Sequence, residues 1–244
     1  GLIPADTPGV TIGERHDPGA AFQNGPNSGK DVFVPMEWVI GGQQQVGQGW
    51  KMLMDCLSVG RAISLPALGA AAGKACALTT GAYSRIRRQF RTPIGRFEGI
   101  EEALARIGGI TYRMEAGRLM TAGVLAQGQK PSVLSAILKY NNTEGMRTVV
   151  NAAMDVHAGK AVCRGPANYL NSSYQTVPVA ITVEGANILT RSMIVFGQGA
   201  IRCHPYVLQE MLAAADPDKS RGLADFDEAL FAHIGFTLSN AVRA

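Results

Sequence analysis

From Gln48 to Val156 apolar side chains return every three to four residues, and the only prolines on the way are Pro66, Pro93 and Pro131. That is the helical period, and a strand cannot turn such positions to one side. Trp50, Leu53, Met54, Leu57 and Arg61 begin the pattern, which continues to Phe90 with a kink expected before Pro66. Ile100, Leu104, Ile107, Thr111 and Met114 trace a second stripe ending near Gly128. Leu134, Ile137, Leu138, Val149, Ala153 and Val156 form a third, between Pro131 and Gly159. Residues 160–180 read as a broken stretch, and a shorter helix opens near Glu184 with Ile188, Leu189, Met193 and Val195 inside. The expected fold is mainly α, a four-helix up-and-down bundle with compact loops and no sheet within 95–158.

Residues 1–44 differ in kind. Pro and Gly recur, and between them lie three β-type runs, Val10–Ile12, Asp31–Val34 and Trp38–Ile40. They read as the last strands of a β-domain feeding the bundle of residues 45–201. The tail, 202–244, holds an amphipathic piece from about Pro205, a linker over Asp216–Ser220 and a helix from about Asp225.

Hydrophobic residues make up 46% of the 244 and charged ones 17%, which excludes a disordered or collagen-like chain. Lys and Arg number 23 against 19 Asp and Glu; the net charge of +4 suits an anionic small ligand, and no nucleic-acid motif accompanies it. Cys56, Cys76, Cys163 and Cys203 have no metal-ligand spacing and read as reduced, buried thiols of a cytosolic protein. Residues 62–84 are apolar but contain Lys74 and Pro66, so a packed helix is expected there rather than a membrane span. No secretory leader is read at the start.

Three features could carry chemistry. Glu184 stands in an otherwise uncharged stretch between Arg164 and Arg191. It reads either as a first-turn carboxylate that complements a helix dipole or as a general base whose pKa an apolar pocket raises. Arg85, Arg87, Arg88, Arg91 and Arg96 cluster around Phe90, as a solvated helix end or as a phosphate or pyrophosphate contact. Asp155–Gly159 is a helix end with His157 inside it, packed or capping and without a metal partner one turn away. No P-loop, GxGxxG or Ser-His-Asp order is present, and no metal site is expected.

In order and spacing these features resemble the acyl-CoA dehydrogenases, from the first residues to about Ala200. Ala5–Gly13 looks like the family's β-domain strand and turn. Asp31-Val32-Phe33-Val34-Pro35 resembles the strand leaving that domain, and Gly47-Gln48-Gly49-Trp50 the entry to the long helix. Arg87-Arg88-Gln89-Phe90 matches the "R-x-x-F-G" segment and Glu184-Gly185 the catalytic "E-G-T". The run Val183–Arg191 with Gly197-Gln198-Gly199-Ala200 looks like the large bacterial long-chain subclass. Departures are Arg91 for the Gly after Phe90, Glu98 where many members have Gln, Ala158 within a glycine motif, and Ala186 for the Thr after Glu-Gly.

The resemblance implies flavin-dependent α,β-dehydrogenation of a medium- or long-chain fatty acyl-CoA, with Glu184 as the base and Arg61 and Gly185 beside the substrate. It implies FAD held by Arg87, Arg88, Gln89, Phe90, Glu98, Asp155, His157, Gly159, Ala186 and Asn187. An electron-transfer flavoprotein acceptor, a homodimer or tetramer, and a location in the cytoplasm or peripheral to the inner membrane follow from it. It also implies that the chain is a piece of a longer polypeptide, lacking upstream strands that hold much of the flavin ring. The other readings are an acyl-CoA oxidase-like flavoprotein and a non-catalytic helical interaction module of the same fold.

Overall fold

The computed structural model describes residues 1–17, 19 and 24–244, and the chain divides into two compact units, 1–186 and 187–244. In the first unit a short hairpin pairs β1 (Val10–Ile12) antiparallel with β2 (Asn27–Gly29). The first β-type run is therefore a strand. The other two are not: Met36–Trp38 is a 3-10 turn, and the partner of β1 is a stretch of small polar residues that periodicity could not mark.

Three long helices follow. Helix α1 (Gly49–Ile86) runs unbroken through the expected kink at Pro66. It is joined to α2 (Glu98–Ala126) by a second hairpin, β3 (Arg88–Gln89) with β4 (Thr92–Pro93), and α3 spans Ser132–His157. The helical spacing does not reach Phe90, because the chain turns back at Arg87. Phe90 and Arg91 form the two-residue loop, both at positive φ (50° and 63°). That is the primed turn that matches strand twist, and it favours Asn-Gly. A glycine would relax at Arg91; arginine there carries a left-handed backbone that costs about 1–2 kcal/mol.

The bundle's directions follow from its contacts. Gly73 of α1 meets Thr111 and Met114 of α2, while Ser84 meets Gly95 just before α2, so these helices run antiparallel. Gly69 meets Asn142, and Tyr83 stacks on His157, so α1 and α3 run parallel. The fourth member is not the segment opening at Glu184. It is α5 (Asn171–Thr182), reached through the single turn α4 (Gly159–Val162) and running back along α3 toward Lys139. Residues 160–180 read as broken because Pro178 and a Ser/Thr/Asn-rich turn hide a helix set by packing.

The core joins Leu65, Ile107, Met114, Val149, Val150, Ala153 and Val177. Two glycines make its close approaches. A Cβ at Gly69 would lie 2.7 Å from the Asn142 carbonyl oxygen, and one at Gly73 would lie 2.7 Å from both Met114 and Thr111. Helix α3 buries its expected face at Leu138, Val149, Ala153 and Val156, and the buried face is wider than expected. Ile137 is 38% exposed, while Ser135, Lys139, Asn142 and Thr143 are buried. Asn142 Nδ2 donates to the carbonyls of Pro66 and Met114, so this polar face bonds backbone of neighbouring helices. Trp50 and Leu53 are exposed and Arg61 is buried: the first turns of α1 lie outside the core. The side chains of Met54 and Val195 lie outside the described set.

The second unit contains α6 (Asn187–Ile194), a π-helical segment (Val195–Cys203), α7 (Val207–Ala214) and α8 (Lys219–Arg243). Ile188, Leu189 and Met193, expected inside, are exposed, and Asn187 and Thr190 are buried instead. Helix α8 begins six residues before Asp225, since Asp218 caps it by accepting from the amides of Ser220 and Arg221. Within this unit His204, Tyr206, His233 and Phe236 pack ring against ring, and His233 Nδ1 lies 2.7 Å from Glu210. Of the four cysteines only Cys76 is buried, where burial pushes its thiol up to about 11; the other three are exposed, correcting the expectation for them.

Gly69→Val should lower the stability of the bundle by about 1–3 kcal/mol, because the helix backbones must separate. Gly81→Ala, with open space at its Cβ, should be neutral or stabilising by up to about 1 kcal/mol. Chemical denaturation of the two variants beside the parent checks both.

Candidate active site

Glu184 lies in the break between α5 and α6 and not in a first helical turn. Its backbone is left-handed (φ 53°), and Gly185 follows at φ 90°. Two consecutive positive-φ residues cannot continue α5, so its last carbonyls need other donors. Two buried cations supply them. Arg61 Nε, from α1, donates to the Glu184 carbonyl at 3.0 Å. Lys139 Nζ, from α3, donates to the carbonyls of Ile181 at 3.0 Å and Gly185 at 2.9 Å.

The turn carries the Glu184 side chain onto α1 at Gly60, where a Cβ would stand 3.2 Å from Oε1 and 3.4 Å from Oε2. Oε2 is buried and has no hydrogen-bond partner among the described residues. Burial raises the carboxyl pKa, and the charges of Arg61 and Lys139 pull it partway back. Lys139 is wholly buried, and desolvation, with the nearby Arg61 charge, draws its ammonium down to about 8 against the pull of Glu184 and Glu144. A desolvated, under-bonded carboxylate beside fixed positive charge is suited to take a proton from a bound carbon acid. Val183 packs against the core, but Ile188, expected to shield the carboxylate, is 79% exposed.

Sequence reasoning named Glu184, Gly185 and Arg61, which meet here, and missed Lys139 and Gly60. The signal for Lys139 was present: Ser135, Lys139, Asn142 and Met146 share one helical face with Val149 and Ala153. Lys139 entered no reading because the stripe was drawn through apolar side chains alone.

A second cluster forms at the far end of α1 and α3. The hairpin brings Arg87 and Gln89 against His157, Ala158, Gly159 and Lys160 around a cleft of about 430 Å³. Segments some seventy residues apart in sequence thus share one wall. His157 is buried: Nδ1 lies 2.8 Å from the Ala153 carbonyl, Nε2 lies 2.6 Å from the Tyr169 hydroxyl, and the ring stacks on Tyr83 at 4.3 Å. Lys160 sits 4.2 Å over the Tyr169 ring and donates to the Ala167 carbonyl. Two cations and an open backbone at Gly159, whose Cβ would meet nothing, fit an anionic group of a nucleotide cofactor.

The other expected cofactor residues are placed differently. Arg88 is exposed and donates to the Arg91 carbonyl; Phe90 is 90% exposed at the loop tip; Glu98 is exposed in the first turn of α2. Asp155 lines a separate cleft of about 640 Å³ with Asn151, Asn171 and Tyr174. Ala186 ends the first unit half-buried, and Asn187 is buried at the start of α6.

Burial holds the His157 pKa below its ordinary value against the Ala153 carbonyl, which favours the proton, and the Lys160 charge works with burial. The ring should therefore stay uncharged as pH falls through about 6.5, the usual midpoint of a histidine. Ring-carbon NMR shifts followed through that range check this.

Comparison with known proteins bears on the family and the fold. Residues 47–197 match a family model described as the acyl-CoA dehydrogenase C-terminal domain, and residues 201–244 match one described as the C-terminal, bacterial type. The short-chain specific acyl-CoA dehydrogenase of Rattus norvegicus is 29% identical over 201 residues, 79% of this chain and 46% of that protein. A Proteus mirabilis protein named HemX is 55% identical over 82 residues, 33% of this chain and 48% of that protein. Among solved structures, butyryl-CoA dehydrogenase from Megasphaera elsdenii superposes with a TM-score of 0.69 at 23% identity, over 82% of this chain and 51% of that one. An acyl-CoA dehydrogenase from Geobacillus kaustophilus gives 0.71 at 20%, over 79% and 50%. The chain spans about half the length of the curated relatives it matches. With the family model covering more than half of its residues, this chain belongs to the acyl-CoA dehydrogenase family, and its bundle is the family's C-terminal helical domain.

Proposed function

We propose that the chain supplies the helical part of the catalytic core of a flavin-dependent acyl-CoA dehydrogenase, with Glu184 as the base that removes the α-proton of the thioester. The observation that carries the reading is the Glu184 carboxylate itself: half-buried, with its buried Oε2 unbonded among the described residues, on a left-handed turn against Gly60. Burial raises the proton affinity of this carboxylate, which a base for a weak carbon acid needs. Gly185, without a side chain, follows the carboxylate at φ 90°, and in this reading the thioester lies beside it. Arg61, tied to the Glu184 carbonyl, holds the turn from α1.

Bound FAD would supply the acceptor for the hydride leaving the β-carbon. On this chain Arg87, Gln89, Gly159 and Lys160 fit one of its anionic groups at the far cleft. Lys160 is an addition to the residues expected from sequence. Arg88, Phe90, Glu98, Asp155, His157, Ala186 and Asn187 belong to the same cofactor reading, His157 by fixing the cleft wall from inside. The substrate we infer is a medium- or long-chain fatty acyl-CoA. The run Val183–Arg191, which resembles the large bacterial long-chain subclass, supports it. We further propose an electron-transfer flavoprotein as acceptor, a homodimer or tetramer, and a cytoplasmic location. In this reading residues 1–44 close the middle β-domain, 45–201 form the helical domain, and 202–244 begin an added C-terminal region.

In the full-length protein Glu184→Gln should keep flavin and acyl-CoA binding, while acyl-CoA-dependent flavin bleaching falls about 10²–10⁴-fold. Bleaching at the parent rate would place the base elsewhere, and peroxide release on acyl-CoA addition would favour an oxidase. Arg87→Ala should weaken flavin retention by about 1.5–3 kcal/mol, the worth of a charge-assisted hydrogen bond. Arg85→Ala should leave it unchanged, because Arg85 lines a different cleft with Arg96 and Glu101. Fluorescence titration of released flavin compares the two.

A further inference from the structure

Lys139 is a buried ammonium in the middle of a core helix, with no exposed surface. Burying an ammonium is costly, and an apolar side chain of similar length would fill the same space without that cost. The donors of Lys139 go to two particular oxygens, Ile181 O in the last turn of α5 and Gly185 O beyond it. These bracket Glu184 in sequence, and Arg61 takes the carbonyl of Glu184 itself. The left-handed backbone at Glu184 is unfavourable for a side-chain-bearing residue and persists only where its surroundings enforce it. Here the enforcement comes from α1 on one side and α3 on the other.

We propose that Lys139 is a positioning residue for proton abstraction: by clamping the carbonyls on both sides of Glu184 it fixes the left-handed turn and holds the carboxylate against Gly60. This rests on the reading of Glu184 as the base. The charged groups facing the carboxylate are Arg61 from α1 and Lys139 from α3, with Glu144 acting on Lys139 from its own helix. Removing the ammonium therefore has two consequences. The turn loses its restraint at Gly185, and the carboxylate loses a positive charge that favours ionisation, so its pKa rises.

The test uses full-length, FAD-loaded protein and acyl-CoA-dependent flavin bleaching followed across the acid limb of the pH profile. Lys139→Met should lower kcat about 10–100-fold, as a small misplacement of a reacting group does, and leave KM nearly unchanged. Its acid limb should move up by about one pH unit, the effect of losing one close opposite charge. Lys139→Arg keeps the charge and should keep the limb while recovering part of kcat. If Lys139→Met does not fold, Lys139→Gln decides: a raised limb with lowered kcat supports the role, and an unmoved limb overturns it. A lower melting temperature with parental kcat and limb in the Met variant would make Lys139 structural only and overturn the proposal. Failure of the underlying reading is separable. In that case Glu184→Gln bleaches at the parent rate, whatever the Lys139 variants do.

Discussion

The break after α5 has carbonyl oxygens that no helix can satisfy, and two buried cations on neighbouring helices satisfy them. That arrangement governs the rest of the site. A helix that ended in solvent would let water take Ile181 O and Gly185 O. Here the end is packed against α1 and α3, so donors must come from side chains, and Arg61 and Lys139 reach it. Arg61 and Lys139 serve this need, and in doing so they fix a left-handed residue that would otherwise relax. The same two charges temper the cost of burying the Glu184 carboxylate, which would be far greater in an unrelieved apolar pocket.

This coupling ties the packing of the bundle to its chemistry. Helices α1 and α3 approach closely because Gly69 admits the Asn142 backbone. The polar face of α3 then bonds neighbouring backbone through Asn142 and Lys139. Gly60, one residue before Arg61, leaves the room that the carboxylate occupies. A larger residue at Gly60 or a shorter one at position 139 would alter the site without touching Glu184. At the other end of the same two helices, Tyr83 stacked on His157 and Tyr169 edge-on to it fix the wall against which Arg87 and Gln89 fold. The two clusters are thus carried by opposite ends of one rigid helix pair.

The hairpin between α1 and α2 shows how a departure from a family pattern becomes intelligible. Its loop needs left-handed backbone at both central positions, and the chain places Phe90 and Arg91 there. Ala158 likewise holds positive φ between α3 and α4, at a position inside a glycine motif of the resemblance. Both substitutions retain the fold at a local conformational cost, and both lie on or beside the end that carries Arg87 and His157. They alter the ease of forming that end more than its shape.

The sequence by itself determined the helical class and the three long helices, because period is a property of neighbouring residues. It offered Glu184 by its isolation, and Arg61 and Gly185 through the family resemblance, as candidates that the fold brings together. It also marked Arg87 and His157 as candidates in separate segments, which the fold places around one cleft. Tertiary structure decided which segment completes the bundle: α5 is poor in helix signal, with Pro178 inside it, and forms because α3 offers a surface. It decided the hairpin after Ile86, where Arg88 pairs with Pro93 across a turn that no spacing rule marks. Above all it decided that Lys139 faces inward. A lone lysine in an amphipathic pattern reads as exposed. Only the carbonyls of a chain segment more than forty residues away give it a reason to be buried.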